Sequence, residues 1–273
     1  MRHQRAAIIF FLGPLALCAS AQTAAAERDQ LRASAQAKVA NLSLVLRPPA
    51  TAAPGVAPSP QQREQAMSQI HSEIDAYIAQ TVDPAHLDLN SLNQDLAAIL
   101  RPHSVRAEYG DPPTAFGTDI AGTRFLLVAY VLYAGLHGSG GTSVAIRAYR
   151  AADGRFELAD STGDDMDGCE LFVRELHAPL PNEAWLLAWG AVTGSSGPGA
   201  YIVRVYAFDG AKFRTIWRPD LLPGVTASVT LDGFNIRRVD LSRSLPPGWE
   251  YTEDHYVLEP GGPLLAFSSP DPH

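Results

Sequence analysis

From Arg124 to the C-terminus the chain is a run of short apolar segments, β-branched or aromatic. They are separated by clusters of Gly, Asp, Ser and Pro that come before a helix could complete. Nothing else in the sequence constrains the fold as strongly. Parallel strands need crossovers of a dozen or more residues, and the spacers here are too short for them. Segments 125–133, 143–149, 156–160, 171–176, 185–192, 201–208, 213–217, 227–231, 235–240 and 251–258 therefore predict a mainly β protein. The expected arrangement is an antiparallel meander of about ten strands, preceded by one or two amphipathic helices. Three pairs, Asp153 with Gly154, Asp209 with Gly210 and Asp232 with Gly233, are expected at hairpin turns, because glycine tolerates the positive φ such turns need.

Two stretches of this region read alike. FLLVAY at 125–130 is followed by a Gly/Ser loop at 135–141 and VAIRAYRAADGRF at 144–156; WLLAW at 185–189 is followed by a loop at 193–199 and YIVRVYAFDGAKF at 201–213. Both place Arg-x-Tyr at the centre of the second strand, at Arg147 and Arg204, and a third, degraded copy spans 224–267. Units of this kind resemble blades of a β-propeller. Two or three are too few to close one, so the expectation is an incomplete propeller or a curved sheet with the helices covering one face or edge.

Upstream, Ser59, Pro60 and Gln62 form a helix start with a capping box, followed by the stripe Ala66, Met67, Ile70, Ile74, Tyr77 and Ile78. Ser91 with Gln94 predicts a second, shorter helix with the stripe Leu92, Leu96, Ile99 and Leu100, stopped by Pro102. Residues 27–46 carry a weaker helical pattern through Leu31, Ala35, Val39, Leu42 and Leu46, and 48–60 is a proline-rich linker. The N-terminus combines Arg2 and Arg5, an apolar run at 6–18 and the small residues Ala19 and Ala21, the order of a secretory leader. The expected organisation is a signal peptide over 1–21, a weakly helical and linker segment over 22–60, a helical cap over 61–123 and a β-rich domain over 124–273. The mature protein is then periplasmic or extracellular, with no transmembrane segment.

Removing Arg2 and Arg5 with the leader takes the formal charge from −8 to −10, an acidic balance that argues against nucleic acid as a partner. The leader would also remove Cys18, leaving Cys169 alone and the fold dependent on its hydrophobic core.

Chemistry-bearing residues are sparse. Asp160, Asp164, Asp165, Asp167 and Glu170 gather carboxylates around two glycines, the residue types a calcium loop uses, although the spacing departs from the calcium-loop pattern. Asp164, Asp165 and Asp167 are the candidate metal ligands and calcium the one candidate cofactor. Ser139, Ser195, His137, His255, Asp164 and Asp167 are the groups from which a hydrolase site assembled across loops would be drawn. No Gly-x-Ser-x-Gly and no paired-histidine spacing accompanies them. Trp185, Leu187 and Trp189 share one strand face, which suits a core, and Arg147 and Arg204 are expected to face solvent or pair with an acid such as Asp160 or Asp220. The leading expectation is a non-enzymatic binding or assembly module acting on a protein or glycan. The alternatives are a calcium-stabilised binding module and an exported hydrolase.

Overall fold

A computed structural model describes residues 13–46, 58–103, 110–133, 142–163, 166, 170–192, 199–242 and 249–271. Among the described residues three α-helices come first: α1 (Gly13–Leu46), α2 (Pro60–Thr81) and α3 (Leu89–Ile99). The capping box of α2 forms as expected, with the Ser59 side chain accepting from the Gln62 N–H and the Gln62 side chain accepting from the Ser59 N–H. For α3 the cap is Asp88, not Ser91: its carboxylate accepts from the Ser91 N–H, and a negative charge suits the helix N-terminus better than a hydroxyl. The expected stripes of α2 and α3 are buried, apart from half-buried Met67, and α1 adds Ala35, Val39 and Leu46 to the same core. Buried Asp95 on α3 ties the three together by accepting from Arg28 and Arg32 of α1 and from the Tyr77 hydroxyl of α2. Burial alone would raise its pKa, but these three donors outweigh it and hold the carboxyl below its ordinary value.

Among the described residues thirteen strands follow, all antiparallel. Sheet 1 is β1 (Thr114–Ile120), β2 (Thr123–Tyr133), β3 (Thr142–Ala152) and β4 (Arg155–Ser161). Sheet 2 is β5 (Phe172–Leu176), β6 (Ala184–Ala191), β7 (Ala200–Phe208) and β8 (Phe213–Trp217), with the two-residue β9 (Leu222–Pro223) pairing β7. Sheet 3 is β10 (Thr226–Val229), β11 (Gly233–Val239), β12 (Tyr251–Glu259) and β13 (Gly262–Pro270). Each sheet is a four-stranded meander in chain order, with β9 the one strand off that path. β1 lies in the stretch expected to belong to the helical cap.

The sheets stack face to face. Leu126, Val128, Tyr130 and Leu132 of β2 pack on the helices, while Phe125, Leu127, Ala129 and Val131 pack on sheet 2. Sheet 2 likewise turns Leu186 and Ala188 toward sheet 1, and Trp185, Leu187 and Trp189 toward Phe234 and Ile236 of sheet 3. Burial on both faces explains why β2 and β6 read as unbroken apolar runs and not as alternating ones.

The third strand of every meander breaks register with the fourth at one equivalent place: between Ala148 and Tyr149, Val205 and Tyr206, and His255 and Tyr256. Tyr149 faces the helices, Tyr206 sheet 1 and Tyr256 sheet 2, so the three sheets stack in one sense. They form an open series that closes no propeller ring.

The expected turns divide by mechanism. Asp153 and Gly154 both have positive φ, at 50° and 78°, as a two-residue hairpin turn requires, and Gly210 sits at 90°. Gly233 is needed for a different reason. A Cβ there would lie 1.8 Å from the Tyr256 carbonyl oxygen, so only glycine lets β11 approach β12 so closely.

Candidate functional site

The first strands of the three meanders, β1, β5 and β10, are edge strands, and they come together along one side of the stack. There the β5–β6 connection, Thr118 of β1 and the tip of the β10–β11 turn enclose a cleft of about 660 Å³. Its apolar wall includes Leu176, Leu180, Pro181 and Leu231, the last 98% exposed at the turn tip. The charged side chains in the lining are the carboxylates Glu175 and Glu183. Glu183 is engaged, accepting from the Trp185 indole N–H at 2.7 Å and from Arg214 at 2.6 Å. Glu175 has no such partner among the described residues, and partial burial of its carboxyl in the cleft pushes its pKa up. His177 also lines the cleft, yet no hydrogen bond joins any two of Glu175, His177 and Glu183, so they form no proton relay in this arrangement.

Most residues singled out from the sequence lie elsewhere. Asp164, Asp165 and Asp167, the candidate calcium ligands, fall outside the described residues, as do Ser139, Ser195, His137 and Cys169. From the same acidic stretch, Asp160 accepts from the Phe213 N–H, and burial pushes the pKa of Glu170 up to about 7. Among the described residues no three of His, Cys, Asp and Glu are grouped as metal ligands.

His255 lies on the outer face of sheet 3, stacked on Phe267, with Nδ1 2.6 Å from the Asn235 side-chain oxygen. Its neighbours Glu253 and Asp254 point to opposite faces, Glu253 accepting from Asn235 and buried Asp254 from Arg238 and Ser268. Alternation along the strand thus keeps these two carboxyls out of one pocket.

Two polar clusters between the helices and sheet 1 were not anticipated. Arg147 pairs with Asp75 of α2 through two bonds of 3.0 and 2.7 Å, and not with Asp160 or Asp220. The Tyr149 hydroxyl donates to the same carboxylate, and His71 pairs with the Tyr130 hydroxyl one helical turn away. His71 and Asp75 stand four apart beside the apolar stripe, opposite Arg147 and Tyr149 two apart on a strand, which is the signal that could have joined them. The second cluster is a buried Ser–His pair. His103 Nδ1 accepts from the Tyr133 N–H, so Nε2 carries the proton and donates to Ser43, whose own hydroxyl donates to the Val39 carbonyl. With its proton committed to backbone, Ser43 fastens α1 to the sheet and has no nucleophile's geometry.

Comparison with protein-family models, with curated proteins and with solved structures found no match. Among the described residues no helix is long and apolar enough to cross a membrane.

Proposed function

We propose that this protein is an exported, non-enzymatic binding or assembly module that holds its partner in the cleft at the edges of β1, β5 and β10. The observation that carries the reading is the cleft itself. It has the size of a ligand site, joins all three sheets, and combines an apolar wall with an unpartnered carboxyl group. Asp75, Asp95, Arg147 and Tyr149 are consumed in fastening the helices to one another and to sheet 1, whereas the Glu175 carboxyl in the cleft is not.

The reading is tested in cells with a photo-crosslinking residue at Leu231, and in parallel at Leu158, which is 45% exposed on β4. A discrete adduct from position 231 alone, on a protein recovered outside the cytoplasm with its leader removed, is the expected result. Equal labelling from both positions, or none from either, overturns it. So does turnover of a generic hydrolase substrate that vanishes on a single substitution.

A further inference from the structure

Asp111 does for part of β5 what a neighbouring strand would do. Its backbone N–H donates to the Leu171 carbonyl at 2.8 Å, and its carboxylate accepts from the Val173 N–H at 2.9 Å. In an antiparallel strand alternate residues turn their backbone groups to the same side. Leu171, Val173 and Glu175 therefore share the edge of β5 that faces away from β6. The cover ends at Val173. Among the described residues neither the backbone nor the carboxyl of Glu175 is hydrogen-bonded on that side. This open step of strand edge is inside the cleft, with Thr118 on one flank and Leu180, Pro181 and Leu231 nearby.

An unpaired N–H and C=O on an edge strand is a template for another strand, and proteins normally cover or charge such edges. Here Asp111 covers two residues and leaves the next one open. The occupant's charge follows from the lining. Its charged side chains are both carboxylates, and Glu183 is already matched by Arg214, so Glu175 is the one awaiting a cation.

We propose that the cleft takes an extended basic segment of another protein, which adds to β5 as a short extra strand. Its backbone pairs with the N–H and C=O of Glu175, and a Lys or Arg side chain meets the Glu175 carboxylate. This rests on the reading of the cleft as the binding site and names the chemistry of what enters it.

Fluorescence anisotropy with labelled octapeptides tests it on the mature chain. The probes are a peptide alternating Lys and Val, one alternating Glu and Val, and two forms of the first N-methylated at alternate amides, one in each register. The Lys peptide should bind at least about tenfold more tightly than the Glu peptide, and one of the two methylated forms should fail to bind. Glu175→Gln should weaken the Lys peptide roughly tenfold. Glu175→Pro, which removes an N–H on the side where an edge strand tolerates proline, should abolish binding. Should the proline variant not fold, the glutamine variant and the methylated peptides still decide the matter. Equal affinity for Lys and Glu peptides, or indifference to both Glu175→Gln and methylation, overturns the proposal. If the peptides fail while crosslinking at Leu231 persists, this proposal falls and the cleft remains a binding site for another chemistry. If both fail, both readings fall.

Discussion

His71 sits between α2 and sheet 1 beside Tyr130, with Arg147 and Asp75 close by. Burial, reinforced by the positive Arg147 and only partly offset by Asp75, lowers its pKa from 6.5 to about 4. The unfolded chain therefore binds this proton more readily than the folded one. The contribution to stability is complete above pH 6.5 and is lost as the pH falls toward 4, by at most about 3 kcal/mol. Replacing His71 with Gln keeps a hydrogen-bonding group for Tyr130 but removes the titration. Urea unfolding at pH 7.5 and 4.5 should show a smaller loss in that variant than in the wild type; equal losses would assign the acid sensitivity to another group. At Gly233 the relevant force is steric. Gly233→Ala must push β11 from β12 and should cost about 1–3 kcal/mol, whereas Gly261→Ala, with open space around it, should change the urea midpoint little. Comparable midpoints for the two variants would show that the close approach at Tyr256 is not under constraint.

Among the elements, legibility follows burial and local chemistry. β2 and β6 stand out in the sequence because both faces are covered, and the cap of α2 because three neighbouring residues supply it. β1 does not stand out. Gly117, a poor strand former, lies at its centre because a Cβ there would come within 3.1 Å of the Leu87 side chain. β13 is bounded by Pro263 and Pro270 and exposes much of its length, so neither propensity nor alternation marks it. The three register breaks leave no residue signature beyond a following tyrosine, although the Arg-x-Tyr pattern of β3 and β7 was the visible trace of two of them. The cleft was not readable at all. Thr118, Glu175 and Leu231 are separated by more than fifty residues each, and only the stacking of the meanders brings them to one place.

On the scale of the whole molecule the layers run helices, sheet 1, sheet 2, sheet 3, and each buried core joins one layer to the next. Sheets 1 and 2 are covered on both faces, whereas the outer face of sheet 3 carries Phe267 and Leu264, each more than half exposed. Opening free energies should follow that order. Amide exchange is expected to be fastest in β12 and β13, and slowest in β2 and β6; uniform protection across the three sheets would mean that the stack opens as one unit. The layering also has a mechanical meaning. The described chain begins in the helical layer at one end of the stack and finishes in β13 at the other, an edge strand that among the described residues pairs with β12 alone. A pull between the two ends of the described chain loads α1 and β13 alike, but the hydrogen bonds of β13 can be loaded one pair at a time. Under tension sheet 3 should yield as a zipper from its C-terminal end, β13 peeling from β12 one hydrogen-bonded pair at a time.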